Sequence, residues 1–593
     1  STGKSHLLAE AATRCVDLSY AVILLLGSSL ITNDTIGKQI VNSLDLDCSF
    51  DSLLDKLEGM AENRNGYSYL FIDALNECGN RKEWMNNVPQ LLHKISRYKR
   101  IKLVISLRTG YERLFFGDKL EVFVKQGTVA RLQHNGFWND SIKAIQEFMN
   151  HYQIPFLPSY ILSKEMTNPL FLKMFCKFYT GETVDIDHLF DKLIEKSDWE
   201  VKDAIGKETA ASFIGKFIDE FVELRINKGA LSITYDDLLD MKFWQRYGLE
   251  NDKLTIISSL IHTGLLVAHI SNDEEIFAFS YQKMDDVFSA RFIIKRYPEK
   301  EALIDCIVYK LLGIEEGEIT HYSDVDIAIE ACALYAKKNK EELFDEIVAH
   351  ITDVEDQNFL VSQYLHSFSW RTHMNLTSEY FMRFLKQYRP TCYDVLDVLI
   401  ENSTKDRHPL NAETLHRLLV EKKIAERDYL WTAYINNRGG KDDRLYQLLD
   451  YFECGSVFDH LTENTVKQFL VMNVWLFTAS NRKLRDKATK VAVELLKHNL
   501  KLCKELLIKF SDVDDPYVIE RLYCAIYGAC LKKTNTEKGV FTDLALYVYE
   551  HFFLQETVFP YVLVRHYARL IIERWSFDNP QECNAFDVSR IRP

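Results

Sequence analysis

Three short, continuously apolar runs constrain the first part of this chain more than any other feature: residues 21–26 (AVILLL), 67–72 (YSYLFI) and 102–107 (KLVISL). The first is far shorter than the ~20 residues a membrane span requires, and each reads as a buried strand. Residues 52–63 and 83–98, which lie between the runs, carry apolar side chains at helical spacing. Buried strands alternating with amphipathic helices specify a parallel sheet covered on both faces. Ligands on such sheets sit at the carboxyl ends of the strands, so the residues just past each run are where chemistry is expected.

The chain opens STGKSHLLAE. Gly3, Lys4 and Ser5 match the last three residues of the P-loop pattern G-x-x-x-x-G-K-[ST], in which backbone amides cradle phosphates, the Lys reaches the outer phosphates and the hydroxyl holds Mg²⁺. The residues from His6 onward are mostly good helix formers, as a helix N-terminus facing phosphates needs. The nucleotide contacts expected of this loop are Thr2, Gly3, Lys4, Ser5 and His6. The first Gly of the pattern and the strand before it do not stand in the sequence, so the chain is expected to be the interior of something longer. The second run leads into Asp73, placed to hold Mg²⁺ through water beside Ser5; a helix-capping role is the plainer alternative. Glu77 could orient an attacking water or simply suit a helix dipole. Arg108, after the third run, could sense a γ-phosphate, pair with Asp73, or form an exposed ion pair.

Composition narrows the rest. Of 593 residues, 23 are Gly and 11 Pro, against average usage of roughly 7% and 5%, so turns are few and helices should dominate. A formal charge of −14 without a long Lys/Arg block argues against a broad nucleic-acid footprint. Twelve cysteines are scattered without a C-x-x-C pair, the usage of free thiols in a reducing compartment rather than of a disulfide framework or zinc site.

Taken together, STGKS, YLFIDALNE and VISLRTG resemble the NACHT-like branch of the STAND NTPases, signal-transduction ATPases of several domains. The segment D-A-L-N-E is similar to that branch's D-G-h-D-E signature, with Asn76 where an acid is usual. The resemblance implies ATP and Mg²⁺ as cofactors, Asp73, Glu77 and Arg108 as the catalytic set, Ser5 and Asp73 as the metal ligands, and slow turnover. It also implies an NTPase core over residues 1–125, a helical domain over 126–205, a winged helix over 206–298 and an α-helical repeat array over 299–593.

Within residues 139–154 and 159–180 the apolar spacing is helical, with Asn168 and Pro169 as a turn that opens the next helix. STAND proteins present a similar proline to the adenine, which makes Pro169 a nucleotide contact by resemblance. Residues 253–262 read as a helix with Gly264 as its cap, 265–270 and 276–281 as a hairpin, and 284–296 as a further helix. That is the outline of a winged helix. The helix expected before it, 234–244 (TYDDLLDMKFW), is acidic, which opposes DNA binding. Tyr281 stands where a STAND His often approaches the β-phosphate; a phenol can donate to phosphate, or the ring can stack in the hairpin core.

From residue 298 onward helix follows helix, with no second nucleotide motif. Residues 481–499 and 515–533 are alike, with Arg485 and Arg521 36 positions apart, as in solenoids whose repeats run ~34 to 47 residues. HSFSWR (366–371), SNRKLRD and the domain order resemble the antiviral STAND proteins of bacteria. That likeness implies a cytoplasmic sensor whose array recognises a phage protein such as a terminase or portal. It further implies assembly into a homo-oligomer, a tetramer in that family, and an effector upstream of Ser1, with no membrane and no direct nucleic acid on this part. Two other readings stay open: an AAA-like DNA-remodelling ATPase, which also joins a P-loop core to a winged helix, and a helical scaffold with a degenerate nucleotide loop.

Overall fold

A computed structural model describes residues 4–30, 32, 34–75, 78, 81–107, 119–132, 137, 141–179, 186–206, 212–230, 232–271, 274–372, 376–438, 443–453, 461–534, 538–557 and 560–591. The chain is mostly helical and folds as two compact units, one of residues 1–138 with 167–296 and one of residues 139–166 with 297–593.

In the first unit the three apolar runs form strands β1 (Ala21–Leu26), β2 (Ser68–Asp73) and β3 (Ile101–Ile105), all parallel and in spatial order β1-β2-β3. Side chains alternate across the sheet as the strand period requires. On one face Ile23, Leu25, Leu70, Ile72, Leu103 and Ile105 pack with helices α2 (Ile36–Asn42), α3 (Phe50–Asn63) and α4 (Arg81–Ile95). Ser49 starts α3 by accepting the Ser52 amide, and Leu53, Leu54, Leu57 and Ala61 form its buried stripe. Trp84 is fully buried in this layer and donates its indole N–H to Gln39 Oε1 at 3.1 Å. On the opposite face, helix α1 (Lys4–Asp17) places Leu8 and Ala12 on Phe71, flanked by Val22, Tyr69 and Val104.

The same unit carries helices Pro169–Lys177, Ile186–Ile205, Ile214–Asn227 and Lys253–Thr263, then strands β4 (Ile233–Thr234), β5 (Leu266–Ser271) and β6 (Glu274–Phe279), and helix Gln282–Arg296. The three strands are antiparallel in order β4-β6-β5. Gly264 caps Lys253–Thr263 in the left-handed region, φ +83°, a conformation that excludes most L side chains. The single helix expected over 234–244 is two helices, Tyr235–Leu239 and Lys242–Tyr247. A capping box between Thr234 and Asp237 opens the first, and extended Met241 (ψ 133°) separates them.

In the second unit helices Arg444–Glu453, Arg482–Leu496, Pro516–Lys532 and Val562–Asp578 pack one on the next, while Lys501–Lys509 packs on Lys538–Val548. Side-chain cross-links join neighbouring helices: Arg521 to Asp486 over 35 positions, Lys532 to Glu494 over 38 and Lys504 to Asp543 over 39. The segment 139–166, expected with the helical domain over 126–205, packs in this unit: Phe156 lies 4.6 Å from Tyr451, and Arg444 donates to the Leu162 carbonyl. Among the described residues no helix is long and apolar enough to cross a membrane.

Candidate functional site

The carboxyl ends of β2 and β3 are tied together by one hydroxyl. Asp73 ends β2 on the same face as Tyr69 and Phe71, the face that α1 covers. Ser106, one residue beyond β3, points to that face too and donates its hydroxyl to Asp73 Oδ1 at 2.6 Å. The same Ser106 oxygen accepts the Ala74 amide at 2.7 Å. Backbone bonds continue the join: Ser106 N–H donates to the Ile72 carbonyl, and Leu75 N–H to the Ser106 carbonyl, each at 3.0 Å. Asp73 is 4% exposed, and its Oδ2 has no hydrogen-bond partner among the described residues.

Close approach of β1 completes the edge. Leu26 pairs in register with Asp73, and a Cβ on the following Gly27 would stand 2.2 Å from the Ala74 carbonyl oxygen. Only glycine lets the two backbones meet there. Ala74 itself is held at φ +50°, a strained region for a residue with a Cβ. That strain sits beside Asp73, where it turns the chain sharply off the strand.

Helix α1 approaches this edge from its first turn. Residues 18–20 reverse the chain between α1 and β1. The 14-residue helix, about 21 Å long, therefore runs back along β1 toward the carboxyl ends. Lys4, Ser5 and His6 form the first turn of α1; their side chains, together with Thr2, Gly3, Glu77 and Arg108, lie outside the described residues.

Pro169 is the first residue of Pro169–Lys177, capped by the Asn168 side chain, which accepts the Leu170 and Phe171 amides. Tyr281 follows β6, and its ring centroid lies 5.9 Å from that of buried Phe171. The structure thus brings Asp73 to Ser106 and, separately, Tyr281 to the helix that Pro169 opens. Its ring packs on that helix. Among the described residues no group of three His, Cys, Asp or Glu side chains could hold a metal ion unaided.

Sequence reading assigned no role to Ser106 or Gly27. The signal for Ser106 is faint: a lone hydroxyl closing an apolar run, whose partners stand 32 and 33 positions away. Neither a protein-family model nor a curated protein matches this chain.

Proposed function

We propose that this chain is the nucleotide switch and sensor of a STAND-type defence ATPase, binding ATP with Mg²⁺ through Lys4, Ser5 and Asp73. The observation that carries the reading is the Ser106-held carboxylate of Asp73 at a strand carboxyl end, on the face that α1 covers. Magnesium, when bound, neutralises phosphate charge. Ser106 fixes the Asp73 rotamer, and the first turn of α1 supplies amides and a positive dipole end for phosphate.

Topology supports the same reading. Connections β1 to β2 and β2 to β3 run through helices on one face, whereas α1 covers the other. Parallel crossovers share one hand. A parallel strand entering α1 would therefore lie beyond β3, giving a reversal of strand order beside β3, after which Ser106 holds Asp73. Ligands of open parallel sheets bind at such reversals.

Helices Ile214–Asn227, Tyr235–Leu239 and Lys253–Thr263, with the β5–β6 hairpin, have the order a winged helix requires. Exposed positions on Lys253–Thr263 are Leu254, Thr255, Ser258, Ile261 and His262, with no Lys or Arg for DNA phosphates. This favours a packing and switching module over the DNA-remodelling reading. The stacked helices of the second unit form the recognition array, and its ligand, a phage terminase or portal protein in the cytoplasm, is taken from the resemblance, as is assembly into a tetramer.

The test is Mg²⁺-dependent ATP binding by the whole protein. Lys4→Ala should weaken ATP at least tenfold, and Asp73→Asn should abolish the Mg²⁺ dependence. Undiminished ATP affinity in Lys4→Ala, or unchanged Mg²⁺ dependence in Asp73→Asn, refutes the reading.

A further inference from the structure

On the first unit, helices Ile186–Ile205 and Lys253–Thr263 pack side by side and leave between them an open groove of about 630 Å³. Glu200 and Asp203 line it from one helix; Leu254, Thr255, Ser258 and His262 line it from the other. The two helices are also joined by a buried bond of 3.1 Å in which the Ser197 hydroxyl donates to Thr263 Oγ1.

Three features of the rim point to one kind of occupant. Trp199 is 66% exposed and lies one turn from Asp203 on the same helical stripe. An indole left in water beside carboxylates is suited to a cation laid on its face. Leu254, 61% exposed, and Ile261 provide apolar shoulders on the facing helix. The carboxylates are unequally engaged: Glu200 meets Lys196 at 3.2 Å, the neighbouring Lys202 is taken by Asp198 at 2.6 Å, and Asp203 has no ion pair among the described residues.

We propose that this groove docks an arginine-bearing segment of a partner protein. The guanidinium stacks on Trp199 and donates to the Asp203 carboxylate, with Glu200 as the second acceptor, while an adjacent apolar residue of the segment rests on Leu254 and Ile261. Arginine fits better than lysine because its planar fork can stack and donate in two directions at once, whereas an ammonium is a strongly hydrated point charge. The groove belongs to helices outside the nucleotide edge, so this assignment stands independently of ATP binding.

The experiment uses the whole protein and a fluorescent helical peptide of leucine, alanine and arginine, with its lysine counterpart, followed by anisotropy. The arginine peptide should bind, and the lysine peptide should bind about tenfold more weakly. Asp203→Asn and Trp199→Ala should each lower affinity for the arginine peptide about tenfold, on the scale of one charge-assisted hydrogen bond. Asp47→Asn, an exposed acid in another part of the unit, should leave binding unchanged and so separates the groove from general attraction to an acidic protein. Absence of peptide binding, or equal binding by wild type and Asp203→Asn, overturns the assignment. Self-association that is lost in Asp203→Asn also overturns it, by placing a second copy of this chain in the groove.

Discussion

Replacing Ser106 with Ala tests the construction of the candidate site directly. The substitution removes one oxygen that both donates to Asp73 Oδ1 and accepts the Ala74 amide. Leaving a buried amide without an acceptor costs about 1–3 kcal/mol, and a hydrogen bond to a charged group contributes about 1.5–3 kcal/mol. Both pass through the same atom, and water can reach part of the edge, so the net loss should be about 2–4 kcal/mol. The assay is native-state hydrogen exchange read over residues 70–75, with denaturant unfolding of the first unit beside it. In Ser106→Ala the Ala74 amide should exchange faster than in wild type, and neighbouring amides should lose protection by the same free energy. Asp73→Ala in both backgrounds closes a double-mutant cycle, and the pair should show a coupling of at least about 1 kcal/mol. Ser106→Thr, which keeps the hydroxyl, should retain most of the coupling. Unchanged protection at 72–75 in Ser106→Ala, or additive effects in the cycle, would refute the claim that this hydroxyl holds the site.

Other perturbations have equally definite outcomes. Gly27→Ala drives a Cβ into a backbone carbonyl that has no freedom to move and should lower stability by about 1–3 kcal/mol or more. Gly59→Ala, with open space at its Cβ inside α3, should be neutral or stabilising by up to about 1 kcal/mol in the same melt. His416 accepts the Trp475 indole N–H; burial first, and Lys509 second, push its pKa down to about 4. The folded state keeps this ring neutral while the unfolded chain protonates near pH 6.5. Its effect is therefore a loss of stability as pH falls from about 6.5 to about 4, amounting to about 3 kcal/mol, and denaturation of His416→Gln should lack that component. Arg427, with a fully buried side chain bonded to Asp514 and lying over Trp475, should cost about 3–5 kcal/mol when replaced by Ala, measured by chemical denaturation of the second unit.

What could be read from the sequence followed from locality. AVILLL, YLFI and KLVIS declared themselves as strands because a doubly covered sheet tolerates no alternation of polar and apolar residues, and Asp73 stood out by ending one of them. Gly264 was legible as a cap because a left-handed residue after a helical stripe nearly demands glycine. Contacts over long separations were not legible. Ser106 looks like any strand-end serine until Asp73 and Ala74 arrive beside it. The helical spacing of 141–151 was plain, but the choice of unit rests on the Arg444 bond to Leu162, 282 positions away. In the second unit, the cross-link from Lys504 to Asp543 had no signal in the sequence, because its partners stand on different helices.

Charge balance sets Asp73 apart from several acids that serve the architecture. Three buried or half-buried carboxylates elsewhere are well partnered: Asp198 caps Phe213 and Ile214 and pairs with Lys202, Asp285 meets Arg225, and Glu342 receives both Arg371 and Tyr364. Each exists where its burial is offset by a cation or by several donors. Asp73 has one neutral hydroxyl and no ion pair among the described residues. A carboxylate this deeply buried with a single donor lacks the partners that offset burial in those three. The proposed nucleotide site would supply them as Lys4, Arg108 or a bound magnesium ion. Asp73→Ala should therefore lose Mg²⁺-dependent ATP binding while costing the fold less than Asp198→Ala, which would leave two helix amides and a lysine short of their partner; a larger loss of stability from Asp73→Ala would make Asp73 a structural residue and end the nucleotide reading.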